Sequence, residues 1–138
     1  MSYAWQYGDR SILVKGFPMT MTYEIIEDQD VLVVSIKGNP AVDDIKHILN
    51  EIRNASGYLS STRLWDFHES SFNFSQNEVL DIASYASSTD NRPAKVAMLV
   101  NEDLSFGVSR IYQAFRHTDL TEINVFRDKT EALAWLRE

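Results

Sequence analysis

Short, nearly unbroken apolar runs alternate along this chain with stretches in which apolar residues recur every three or four positions. That alternation restricts the fold more than any other feature. Val31 to Ile36 is almost wholly apolar, and Ala94 to Val100 has only apolar residues after Lys95, the pattern of strands buried on both faces. Between and after them, Val42, Ile45, Ile48, Leu49 and Ile52 form one helical stripe, and Val79, Ile82, Ala83 and Ala86 a second. A third helix is expected with Leu104, Val108, Ile111, Tyr112 and Phe115 inward, and a fourth with Ala132, Leu133, Trp135 and Leu136.

The remaining strands and boundaries follow from local chemistry. Tyr23 to Glu27, the turn Asp28-Gln29-Asp30 and Val31 to Ile36 read as an antiparallel hairpin. Leu64, Trp65 and Phe67 mark a strand over Arg63 to Phe67, and Glu122 to Phe126 the last one. Gly38-Asn39-Pro40 starts the first helix with Asn39 as cap, and Ser56-Gly57 stops it. Ser75 with Glu78 is a capping-box pattern, Asp128 with Glu131 three residues on is expected to cap the fourth helix, and Asn101 is placed to cap the third. The order is ββαβαβαβα: an α/β domain with about five strands, mostly parallel, one antiparallel strand from the hairpin, and about four helices.

This pattern covers residues 22–138. Residues 1–21 form an extension whose Tyr3, Trp5, Tyr7 and Phe17 distinguish it from a solvated tail, with Ser11 to Phe17 able to add an edge strand. Those aromatics argue against a translation start at Met19 or Met21.

Thirteen basic and twenty acidic residues give a net charge of −7, without the basic cluster that displaces counterions from nucleic acid. Nucleic acid is therefore not an expected partner. The chain has no cysteine, which excludes disulfides, thiolate catalysis and thiolate-ligated zinc or iron. Its three histidines lack the short spacings of a zinc site, so no metal and no cofactor is expected. No secretory leader is expected, since Asp9 and Arg10 interrupt the N-terminal segment, and no apolar stretch reaches the roughly twenty residues that span a bilayer. The expected location is the cytoplasm, without membrane insertion.

Several segments resemble the SpoIIAA-like superfamily, which includes the STAS domains of anti-sigma factor antagonists and sulfate transporters and is structurally similar to the SEC14 lipid-binding fold. The segments are Leu64-Trp65-Asp66, Phe106-Gly107-Val108-Ser109-Arg110, and Val125-Phe126-Arg127-Asp128 leading into Glu131-Ala132-Leu133-Ala134-Trp135-Leu136. They are most similar to those of small stand-alone bacterial members. The resemblance implies a non-enzymatic regulatory domain with a protein partner, self-associating as a homodimer. Its SEC14-like side implies instead a small apolar ligand or lipid, in a pocket of at least ~300 Å³ between helices and sheet. Anti-sigma factor antagonists carry an Asp-Ser-Ser-Gly-type motif whose serine is phosphorylated. Here Glu69-Ser70-Ser71-Phe72-Asn73-Phe74-Ser75 occupies that place without the glycine or the paired aspartate. Ser75, Ser71 and Ser70 are the candidate counterparts, Ser75 doubling as a helix cap.

A third reading is an enzyme. Asp66 and His68 fall at the C-terminal end of a parallel strand, where open α/β sheets place their sites, and alternation points them to one side. Arg110, one turn from a helical glycine at Gly107, is placed to meet an anion or Asp66. No nucleophile with an orienting partner accompanies them, and no phosphate-binding or nucleophile-elbow glycine motif occurs. His47 lies on the polar side of the first helix, and His117 with Asp119 closes the third.

Overall fold

The computed structural model describes residues 11–15, 21–54, 61–89, 93–116 and 121–138. The expectations attached to Tyr3, Trp5, Tyr7, Phe17, Ser56-Gly57, His117 and Asp119 lie outside the described residues.

The five expected strands form, and an edge strand precedes them. They are β1 Ser11–Lys15, β2 Met21–Asp28, β3 Val31–Gly38, β4 Thr62–Ser70, β5 Ala94–Val100 and β6 Thr121–Phe126. The helices are α1 Val42–Asn54, α2 Gln76–Thr89, α3 Asp103–Arg116 and α4 Lys129–Leu136. One six-stranded sheet runs in the order β1-β2-β3-β4-β5-β6. β1 with β2 and β2 with β3 are antiparallel, and every later pair is parallel. The β2–β3 hairpin closes through Gln29 (φ 49°) and Asp30 (φ 68°), two left-handed residues whose twist matches that of the strands.

Topology decides where the helices sit. From β3 to β6 each connection advances one strand in the same direction, so right-handed crossovers place α1, α2 and α3 all on one face. The core there joins Ile25, Val34, Ile36, Trp65, Phe67, Met98 and Val125 of the sheet to Ile45, Ile48, Val79, Ile82 and Val108 of the helices. α4 follows the last strand and folds onto the other face, where Ala132 and Leu136 pack on Val31, Leu64, Ala97 and Leu99. Ala97 to Val100 are therefore buried from both sides, as the unbroken apolar run implies.

Helix starts depart from expectation by one or two residues. α1 is capped at Ala41, whose carbonyl accepts from Asp44 and Ile45 N–H while Asp44 Oδ2 accepts from Ala41 N–H at 2.8 Å. The carboxylate reaching back from Asp44 fixes the start there and leaves Asn39 outside the helix. α3 likewise starts after Glu102, whose carbonyl accepts from Phe106 N–H, so Asn101 is not its cap. The Ser75–Glu78 capping box forms as read, and Asp128 caps α4. Ser75 N–H donates to Glu78 Oε1 and Glu78 N–H to Ser75 Oγ, and Asp128 Oδ2 accepts from Glu131 N–H.

Candidate functional site

The Asp66–His68 region is shaped by a bulge. Ser35 pairs with Asp66 and Lys37 with Glu69, so Phe67 and His68 together oppose a single residue of β3. Two residues against one displace an amide from the ladder. Asp66 Oδ1 accepts from His68 N–H at 2.8 Å, which gives the carboxylate a structural task. Beyond the bulge, Glu69 Oε2 lies 3.2 Å from Lys37 Nζ in an exposed ion pair.

Arg110 does not join this pair. Asp66 alternates with Trp65 and Phe67 and shares the face of Leu64, whose side chain meets α4, whereas α3 packs on the face carrying Trp65 and Phe67. The sheet lies between Asp66 and Arg110, and Arg110 is exposed. The three groups of the enzyme reading therefore share no cleft. Nor does β3 to β6 contain a reversal of strand order, the feature that opens a ligand crevice in parallel sheets.

The three serines differ in availability. Ser70 is buried and donates to the Gly38 carbonyl. That carbonyl also accepts from Ser71 N–H, and Gly38 takes a φ of 94° to present it. Ser71 is exposed and its hydroxyl donates to Glu102 Oε2 at 3.2 Å. Ser75 is exposed within its capping box. The loop between β4 and α2 is anchored by Ser105, whose hydroxyl donates to the Phe72 carbonyl and accepts from Phe72 N–H. Sequence periodicity offered no signal for Ser105, a polar residue inside an apolar stripe.

α3 carries the largest departure from expectation. Val108 and Tyr112 pack on the core, but Leu104, Ile111 and Phe115 point outward, with Leu104 55% exposed. Gly107 lies on the same outer side, and a Cβ there would meet nothing within 4 Å. Close packing within the chain is therefore not the reason for this glycine. The inner side of α3 is taken instead by small polar residues, one of them, Ser105, tied to the Phe72 backbone. Ser105 and Ser109 are fully buried there, and the larger apolar residues face out. His47 is half-exposed, its side chain partly solvated as expected. Its ring meets Tyr23 edge-on at 6.2 Å, and its Nε2 is buried, 3.9 Å from Glu51 Oε1 and without a hydrogen bond.

Beneath α1, α2 and α3 the core leaves a cavity of about 80 Å³. Ile45, Val79, Ile82, Val96, Met98 and Val108 are among the residues that give it apolar walls. Among the described residues its polar lining is Arg63, Ser109, Tyr112 and Arg116, residues sequence reading did not select as a site. Arg63 opens β4 and Arg116 closes α3, so this polar end lies at the edge of the sheet opposite Asp66–His68. Arg116 Nε donates to the Tyr112 hydroxyl at 3.3 Å, and Nη1 to Ser87 Oγ at 3.1 Å. Burial raises the Tyr112 phenol above its ordinary 10, against the opposing pull of Arg116 and, more weakly, Arg63. The pocket sits where the ligand reading places it but falls short of ~300 Å³.

Among the described residues no cluster of three or more His, Cys, Asp or Glu is placed to hold a metal, and no helix is long and apolar enough to cross a membrane. No family model and no curated protein matches the chain. Solved structures do. An anti-sigma factor antagonist from Mycobacterium paratuberculosis is similar at a TM-score of 0.63 and 11% identity, over 91% of this chain and 100% of that one. The anti-sigma factor antagonist SpoIIAA in its unphosphorylated form is similar at 0.52 and 15% identity, over 83% and 96%.

Proposed function

We propose, from the premise that this chain has the fold of the anti-sigma factor antagonists, that it is a non-enzymatic regulatory domain working through protein contacts and associating with itself. The observation that carries this is the outward stripe of Leu104, Ile111 and Phe115 on α3. Large apolar side chains grouped on one exposed helix face are a common mark of an interaction surface, and aromatic residues are enriched at such contacts. A homodimer is the simplest closed assembly such a face can form. The separation of Asp66 and His68 from Arg110 further supports a role without catalysis. Cysteine-free composition fits a reducing cytoplasm.

Sedimentation velocity over a wide range of micromolar concentrations tests this reading. Wild type is expected to shift toward dimer, and Leu104→Glu with Ile111→Glu to remain monomeric at unchanged melting temperature. A wild-type monomer throughout, which no regulatory partner converts to a complex sensitive to the double variant, removes the proposal.

A second reading, a small ligand between the helices and the sheet, is favoured by the cavity's place in the fold, although its volume of about 80 Å³ falls short of a ligand pocket. Its test is whether any apolar small molecule, charged or neutral, saturates the pocket.

A further inference from the structure

Three rows of residues run along the outer side of α3. Helical spacing places Leu104, Ile111 and Phe115 in one, Gly107 and Ala114 in the next, and Asp103 and Arg110 in the third. All of them are exposed. A glycine inside a helix costs roughly 0.5–1 kcal/mol relative to alanine. Nothing within this chain explains it here, since a Cβ at Gly107 would meet nothing within 4 Å. The row of small residues is where a second helix can approach the α3 backbone closely, with large apolar residues on one flank and charges on the other.

The charges say what that second helix is. Arg110 is exposed and has no ion-pair partner among the described residues. Asp103 Oδ1 lies 2.7 Å from Arg127 Nη1, yet the Asp103 side chain is 91% exposed, which leaves room for a second cation at the same carboxylate. An acid followed seven residues later by a base is self-complementary when the helix is reversed. In an antiparallel pair of α3 helices related by a two-fold axis, each row meets its own copy running the other way. Asp103 of each copy then meets Arg110 of the other, Leu104 of each lies beside Ile111 of the other, and the crossing falls at Gly107. A parallel pair would set acid on acid and base on base, which is repulsive. The helix dipoles favour the reversed direction as well. The neighbouring sheet edge is a poor rival. Gln113 Nε2 donates to the Ile123 carbonyl at 2.6 Å and Asn124 Oδ1 accepts from Val125 N–H at 2.9 Å. Two backbone groups of β6 are thus taken by side chains of the same chain, which discourages strand addition there.

We propose, resting on the self-association reading above, that the protein forms a two-fold dimer in which two α3 helices pack antiparallel and cross at Gly107. Reciprocal Asp103–Arg110 pairs line one side of the seam, and Leu104–Ile111 contacts the other, with Phe115 at each end. α3 has 14 residues and is about 21 Å long, so one helix pair falls at the small end of specific interfaces and the dimer is a weak one.

Sedimentation equilibrium of the full chain at low and high salt tests the arrangement. Asp103→Arg alone and Arg110→Asp alone are each expected to weaken the dimer about tenfold at low salt, because both symmetry-related contacts become repulsive. The chain carrying both exchanges is expected to regain wild-type affinity, and high salt to narrow the differences. Circular dichroism of each variant is expected to match wild type, both positions being exposed. Arg110→Asp also leaves the start of α3 and the Asp103–Arg127 pair untouched, so its effect reads the seam alone. A dimer that ignores both single variants but dissociates in Leu104→Glu with Ile111→Glu would overturn the antiparallel pairing and leave self-association through α3 standing. Failure of the double exchange to restore a dimer lost in the single variants would overturn the pairing too. A wild type that stays monomeric at every concentration would overturn the dimer and the self-association reading together.

Discussion

Replacing Ser109 with alanine should make the ligand-free protein more stable, an unusual outcome for a fully buried position. The hydroxyl has no partner and no exposure. Removing an unsatisfied buried polar group relieves about 1–3 kcal/mol, and alanine is a slightly better helix former than serine. Against this stands the weak dispersion attraction of a single oxygen, which lines a cavity and so has neighbours on one side only. The net expectation is a gain of about 1–2 kcal/mol. Unfolding entropy near 2.1 cal/mol/K per residue gives roughly 0.29 kcal/mol/K for 138 residues, so the melting temperature should rise by roughly 3–7 °C. Scanning calorimetry measures it directly. A fall of more than about 3 °C would refute the reasoning, because it would mean the hydroxyl is already satisfied.

Other substitutions probe separate parts of the account. Gly107→Ala should stabilise the monomer by about 0.5–1 kcal/mol, since the added Cβ meets nothing within 4 Å, while weakening self-association if α3 faces a second copy; chemical denaturation and sedimentation read the two effects apart. Ser75→Ala removes one half of the capping box of α2 and should cost about 1 kcal/mol in urea unfolding. Tyr112 has its pKa raised by burial, so its contribution is fully present below pH 10 and is lost as pH rises through the higher folded-state value. Wild type minus Tyr112→Phe should accordingly show a tyrosinate absorbance transition above pH 10, with stability lost over that same alkaline range; a difference transition at or below pH 10 would contradict the buried environment.

The layered fold was legible in the sequence because burial writes itself into periodicity. Ala97 to Val100 are apolar on both faces because α3 and α4 cover the sheet from opposite sides. Ser75-Glu78 and Asp128-Glu131 were legible because a capping box is a local interaction across three residues. The site was not legible. Arg63 and Arg116 are separated by 53 positions and reach the same cavity beside Tyr112 only in the folded chain, a relation that no local spacing encodes. α3 misled for a related reason. Leu104, Ile111 and Phe115 fit a helical stripe as well as Val108 and Tyr112 do, and the buried Ser105 and Ser109, whose roles depend on tertiary partners, decided which side turned inward.

The contact surface assigned to α3 is tested most directly by amide chemical shifts recorded during dilution of ¹⁵N-labelled protein from high to low micromolar concentration. Association through this face predicts concentration-dependent shifts concentrated at Leu104, Gly107, Ile111 and Phe115, fitting a single Kd, with α4 amides unmoved. Shifts that map instead to α4 or to β2, or an α3 helix indifferent both to dilution and to any added regulatory partner, would contradict it.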